Sequence, residues 1–114
     1  MVVNVKFPNR DKTYIPPSKL TEYLLSETHT VGKAKAKFFQ GLGFNETNPR
    51  VLEQSLLAIA YTGTIVEVVS SPHGTKYVVD GSLETPSGVV VEVRTVWIIE
   101  VEEDRPRFVT AYPA

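Results

Sequence analysis

The chain has 114 residues, 42% of them hydrophobic and 22% charged, with a formal net charge of -1 and a sequence pI near 6.1. That is ordinary composition for one globular domain, long enough to bury roughly two-thirds of its unfolded surface. The charge balance excludes a protein that coats nucleic acid or anionic membrane by bulk attraction, though not a local basic site, and the lack of cysteine excludes disulfides and thiolate metal sites and fits a reducing cytoplasm.

The opening stretch "VVNVKF" reads as a short strand or arm, broken by "PNRDK" with Pro8 and Asn9 as turn residues. "MVVNVKFPNRDK" has no long apolar core and no small-residue cleavage site, so no signal peptide is expected. No apolar run approaches the roughly 18 residues of a membrane span, so no membrane partner is expected either. A first helix is expected after Pro16 and Pro17, with Ser18 as its N-cap and Leu20, Tyr23 and Leu24 at helical spacing. A second is expected from about Val31 to Leu42, stopped by Gly43, since glycine takes the left-handed C-terminal position without penalty. A third follows Asn48 as cap and Pro49 as first residue, runs through "RVLEQSLLAIAY" and ends at Gly63.

The pattern then turns to β. "TIVEVVS", "TKYVVDGSLE", "VVVEVRTVWIIEV" and "RFVTAY" are rich in branched and aromatic residues, and "PHG", "TPSG" and "EEDRP" turn the chain between them. Short turns between consecutive strands make antiparallel neighbours. The expected class is α+β, with about three N-terminal helices packed on a four-stranded antiparallel meander in a single domain, residues 1–114.

The stretch "HTVGKAKAKFF" carries lysines at alternate positions of the second helix. At about 100° per residue, Val31, Ala34, Phe38 and Leu42 form one stripe with Phe39 at its flank. Lys33 and Lys37 fall on the opposite, solvated face beside Gln40. Lys35 falls inside the apolar sector, where a cation must snorkel, pair with an acid or work in a cleft. In a cleft, desolvation lowers a lysine's pKa and readies it for acid–base work. His29, just before that helix, can face an anion gathered by free backbone N–H groups, or act as acid or base near neutral pH; an exposed loop histidine is the plainer alternative. His73, in "SPHGT", reads as a surface turn residue.

On the strands, Arg94, Thr110 and Tyr112 are polar groups among apolar ones. An arginine fork matches a phosphate, and a threonine or tyrosine can bond phosphate or stack a base. The plainer alternatives are an Arg94 paired across strands with a glutamate and a Tyr112 that only covers apolar surface. Strict alternation sets Phe108, Thr110 and Tyr112 on one side of the last strand. There is no phosphate-binding glycine loop, no dinucleotide fingerprint and no serine elbow. Two distant histidines without cysteine do not make a zinc site, so no metal or cofactor is expected.

The blocks "HTVGKAKAKFFQGLGF", "HGTKYVVDG", "VRTVWIIE" and "PRFVTAYP" together resemble a family of small bacterial domains catalogued as of unknown function, DUF 6883, from about Phe7 to Pro113. That family is similar in layout to the toxin-type ribonuclease fold shared by barnase, EndoU, the tRNase colicins and RelE. The resemblance implies a metal-independent cut of RNA by a scattered set of His, Lys or Arg, Thr or Ser, and Tyr. Carried over by position, it marks His29, Gly32, Lys35, Arg94, Thr95, Thr110 and Tyr112.

The first expectation is therefore a cytoplasmic endoribonuclease toxin of a bacterial toxin–antitoxin or competition system, with an RNA substrate and a cognate antitoxin or immunity protein. His29 would serve as base or acid, Lys35 and Arg94 as phosphate stabilisers, and Thr110 and Tyr112 as orienting groups. The alternatives are a non-catalytic partner or immunity module, and a small-ligand-binding α+β domain whose pocket is lined by Trp97 and Tyr112. The sequence leaves the oligomeric state open.

Overall fold

The structure, a computed structural model, describes residues 8–20, 33–45 and 47–114, and the side chains of these except 33–35. The expected opening arm at 2–7, and Tyr23, Leu24, His29, Val31 and Gly32, lie outside the described residues. A 3-10 turn at Arg10–Lys12 is followed by α1 (Pro17–Lys19), α2 (Lys33–Gly41) and α3 (Pro49–Thr62). Four strands come next: β1 (Thr64–Ser71), β2 (Gly74–Glu84), β3 (Val90–Glu100) and β4 (Arg107–Pro113). They form one sheet in the order β1-β2-β3-β4, each pair antiparallel. The α+β class and the meander are as the sequence predicts.

The helix ends follow backbone chemistry more than side-chain caps. Pro17 is the first residue of α1 and Pro16 precedes it at φ -56 and ψ 133. Ser18 therefore lies inside the helix rather than capping it, because a proline ring already holds the φ that a first helical residue needs. Asn48 precedes Pro49 in α3, but its side chain makes no capping bond; its carbonyl instead accepts from the Val51 N–H at 3.3 Å. The end of α2 is a Schellman closure. The Phe44 N–H reaches Phe39 O at 3.1 Å, the Gly43 N–H reaches Gln40 O at 3.0 Å, and Gly43 takes φ +101, which glycine adopts without a Cβ penalty. The two rings meet edge to face at 6.2 Å.

That contact corrects the expected stripe on α2. Ala36 and Phe39 are fully buried, while Phe38 and Leu42 are only partly buried against the core. The helix is rolled so that Phe39, not Phe38, drives inward. Lys37 is exposed, as its solvated face requires.

One face of the sheet meets α3. Leu52, Leu56, Ile59 and Ala60 of that helix pack with Val79, Leu83, Val93, Trp97, Phe108 and Ala111, and Ile15, Leu20, Phe39 and Phe44 close the sides. Trp97 and Phe108 meet edge to face at 5.2 Å. Two glycines permit the close approach of helix and sheet. A Cβ on Gly81 would stand 2.9 Å from Ile59 Cγ2, and one on Gly63 would stand 2.6 Å from Ile59 O and 2.8 Å from Asp80 O. Gly63 has an ordinary φ of -70, so contact rather than strain demands glycine there. The Val79 Cγ1 atom would stand equally near at 2.6 Å, but the two oxygens are backbone atoms, which cannot swing aside. Gly63→Ala is expected to destabilise the fold by about 1–3 kcal/mol, read as a lowered urea midpoint with unchanged m-value.

The sheet contains two register shifts. In β1 Ile65 faces Val79 and Glu67 faces Val78, so Val66 is the extra residue. In β4 Thr110 faces Val96 and Phe108 faces Trp97, so Val109 is extra. The second shift corrects the strict alternation expected of the last strand. Phe108 and Ala111 turn to the core, while Thr110 and Tyr112 share the opposite face with Val96 and Arg94.

The two edges of the sheet are treated differently. Tyr14 bridges to Arg107 in parallel, with the Tyr14 N–H on Pro106 O and the Phe108 N–H on Tyr14 O, each at 3.0 Å. Arg105 lies over the Tyr14 ring at 4.1 Å. Lys12 reaches Asp104 at 3.1 Å and holds its carboxyl below the usual range, by the hydrogen bond first and by charge second. These contacts cover the start of the β4 edge. Among the described residues nothing pairs with the outer edge of β1. Among them, too, no helix is long and apolar enough to cross a membrane.

Candidate functional site

The face of the sheet turned away from α3 carries the polar residues that the sequence singles out. Arg94 on β3 faces Asp80 on β2 and Tyr112 on β4. Its Nε and Nη2 donate to the two Asp80 carboxylate oxygens at 2.8 and 2.9 Å. This fork-to-fork bond, then the carboxylate's charge, holds the guanidinium above the ordinary arginine range, with smaller help from Tyr112 and Glu67. The Arg94 side chain is 40% exposed and that of Asp80 26%, so the pair lies at the surface. A guanidinium carries more N–H donors than the two spent on Asp80, all in one plane. Asp80 therefore fixes that plane while leaving Arg94 donors for an anion.

Thr110 is one rung pair along β4, facing Val96 and half-buried; Tyr112 is 37% exposed. Arg94, Thr110 and Tyr112 thus gather on one face, and the bulge at Val109 makes this possible. Without the extra residue, Thr110 and Tyr112 could not share a side opposite to Phe108. The other two candidates are not located in this way. His29 lies outside the described residues, as does the Lys35 side chain, although its backbone belongs to α2.

Thr95, which the family resemblance also marks, faces the core. It is fully buried; its Oγ1 donates to Val79 O at 2.7 Å and accepts the Trp97 Nε1–H at 2.8 Å. A buried indole N–H needs an acceptor, and Thr95 supplies it. Its role here is structural. Trp97 is fully buried on the core face, so it and Tyr112 look out from opposite sides of the sheet. They do not line one pocket, as the small-ligand alternative requires. His73 is exposed in the β1–β2 turn; its N–H donates to Ser71 Oγ at 3.2 Å and its carbonyl accepts from Val101. It is the surface turn residue that the sequence predicts.

Asp80 is the residue that sequence reasoning missed. The plainer alternative pairs Arg94 with a glutamate; its partner is this aspartate. The signal was the isolated carboxylate in "YVVDG", since a lone acid on an apolar strand calls for a cross-strand cation.

Beside the site, β1 begins opposite Asp80, so β2 runs on from Gly81 to Glu84 without a β1 neighbour. A cleft of about 900 Å³ opens there against α3, lined by Gln54, Ser55, Asp80, Ser82, Glu84 and Glu92 among others. Ser82 bonds Glu92 at 2.9 Å across the strands, and Ser55 donates to Glu84 O at 3.1 Å. Its polar walls, carboxylates and hydroxyls with the Gln54 amide, stand beside the apolar Val51 and Ala58 and make a poor bed for a phosphate.

The family of domains of unknown function DUF6883 matches residues 6–114. Among curated proteins none matches the chain. Among solved structures, one chain of a contact-dependent growth inhibition toxin–immunity protein complex from Klebsiella pneumoniae 342 superposes with a TM-score of 0.69 at 16% identity, over 91% of this chain and 95% of that one. At that identity the likeness is one of fold.

Proposed function

The chain belongs to the DUF6883 family, and from that premise we propose that it is the toxin of a bacterial competition or toxin–antitoxin system and acts as a metal-independent endoribonuclease. The observation that carries the reading is Arg94, aimed by Asp80 and flanked by Tyr112 on an open sheet face. A likeness of fold to a chain of a growth-inhibition toxin–immunity complex supports the biological setting.

The chemistry asks little of the protein beyond placed charges and one proton shuttle. A base takes the proton of the 2′-hydroxyl as its oxygen bonds to phosphorus. The bond from phosphorus to the 5′-oxygen breaks, and an acid protonates that oxygen. A 2′,3′-cyclic phosphate and a 5′-hydroxyl end result. His29 is the base or acid, because imidazole titrates near neutral pH. Arg94 and Lys35 carry the negative charge that builds on the phosphoryl oxygens. Tyr112 and Thr110 orient the phosphate or hold a base against the sheet.

The test is incubation of the purified protein with total RNA in excess chelator, with end-group analysis of the fragments. The expected result is cleavage that leaves cyclic phosphate ends and falls by a factor on the order of 10² to 10⁴ in a His29→Ala, Lys35→Ala double variant. Intact RNA with wild type, or undiminished cutting by the double variant, rejects the reading.

One observation favours a second reading. Asp80 already occupies two donors of the Arg94 fork, as a purely structural cross-strand pair would. On that reading the chain is a non-catalytic partner or immunity protein, and its high-level expression leaves growth untouched where a toxin arrests it.

A further inference from the structure

We infer that the free edge of β1 is a self-association surface, on which a second copy of this chain adds its own β1 antiparallel and continues the sheet. This is independent of the ribonuclease reading.

The edge has the properties of a docking strand. It is eight residues long and unpaired on its outer side among the described residues. Val66, Val68 and Val69 are 47%, 53% and 43% exposed. Proteins that keep such an edge to themselves use charged side chains, lysine above all, proline, bulges or a covering segment. β1 has neither lysine nor proline, and its one bulge lies at its start, between Ile65 and Glu67. The other edge of the same sheet is met at its start, by Tyr14 on β4.

Backbone geometry shows which groups are available. The Val79 carbonyl turns toward β3, where it accepts the Thr95 hydroxyl. By alternation Val78 turns its backbone to β1, and Glu67 faces it. Val68, next along, therefore turns its N–H and C=O away from the sheet, into the open edge.

Charge and symmetry select the occupant. Glu67 is the only charged residue in β1, so the edge offers almost nothing to attract a foreign strand of opposite charge. A second copy needs no such attraction. A twofold axis normal to the sheet, midway between the two copies, sets Val68 against Val68 of the partner subunit, and Glu67 against Val69 of the partner subunit. No like charges meet. Docking two edges of this length removes on the order of 1,000 Å² from water, the lower bound for a specific interface, so a weak and concentration-dependent dimer is expected. The dimer would join two outer sheet faces, each with its Arg94 and Tyr112, into one surface of twice the width.

The register makes the test specific. Sedimentation of the full chain is followed from about 1 to about 500 μM, the range in which an interface of this size assembles. Wild type is expected to pass from monomer to dimer. Val68→Lys sets two lysines face to face and is expected to weaken the dimer at least about tenfold. Val69→Lys sets each new lysine against Glu67 of the partner subunit and is expected to tighten it severalfold. Far-UV circular dichroism and a urea midpoint on each variant separate lost association from lost folding. A chain that stays monomeric throughout overturns the proposal, as does a dimer that Val68→Lys leaves intact or that Val69→Lys weakens. A monomer that takes up only the strand of another protein overturns it equally.

Discussion

On the proposed ribonuclease activity, Arg94→Ala is expected to reduce RNA cleavage by a factor on the order of 10² to 10³ while leaving the fold in place. The magnitude is that of removing one fixed donor from a developing oxyanion. The fold should survive because the Arg94–Asp80 pair is at the surface, with side chains 40% and 26% exposed, where ion pairs contribute little to stability. The loss should fall mainly on kcat, since a group that meets the charge of the transition state is felt there and not in binding alone. Arg94→Lys should recover only part of the activity, because an ammonium keeps the charge but cannot hold Asp80 with two donors and offer others to phosphate. Asp80→Asn is the companion measurement. It leaves Arg94 charged but loosens its aim, so it should cost less than Arg94→Ala and raise KM as well as lower kcat. Equal activity of Arg94→Ala and wild type in a chelator-containing RNA assay would remove the guanidinium from the mechanism.

The largest effect on stability is expected at Trp97. Trp97→Ala should cost about 3–5 kcal/mol, since a fully buried indole is replaced by a cavity among packed neighbours. The Phe108 ring loses its edge-to-face partner at 5.2 Å, and Thr95 Oγ1 loses a donor at 2.8 Å. Thr95→Val attacks the same place from the other side. It keeps the shape but takes from the indole N–H the acceptor that Thr95 supplies, for about 1–3 kcal/mol. The double variant Thr95→Val, Trp97→Phe removes both polar partners together and should cost less than the single variants Thr95→Val and Trp97→Phe summed. Urea denaturation of the four proteins checks this cycle. Strict additivity would mean that the Trp97–Thr95 bond carries no coupling.

Much of the architecture was legible because the residues that build it are of few kinds. The strands announce themselves as runs of valine, isoleucine and threonine between Gly- and Pro-containing turns, and all four lie where the sequence sets them to within a residue or two. The end of α2 was legible at Gly43, whose positive φ the Schellman closure needs. The roll of α2 was not. Adjacent Phe38 and Phe39 present a ring to either side, and lysines at alternate positions follow neither side consistently. The tie is broken by Phe44, which grips Phe39 from beyond the helix, a contact that no helical wheel contains.

The site was half legible. Arg94, Thr110 and Tyr112 stand out as polar groups on apolar strands, and they do share a face. That Phe108 does not share it was hidden. Many bulges betray themselves by a glycine; this one falls at Val109, in a run of residues all at home in a regular strand. Asp80 was hidden for a different reason. Cross-strand partnership depends on register, and register is a property of two segments at once.

The extra residue in β4 makes the position of the hydroxyls on that strand a matter of counting rather than chemistry. Nothing about the side chain of Val109 is needed, so exchange for another branched residue should pass almost unnoticed. Excision of that residue is a different event. It would keep every remaining group yet oblige the strand to choose between seating its phenylalanine in the interior and presenting its tyrosine to solvent. Over long divergence such a domain is free to vary the letter at that point, but not to shorten the word.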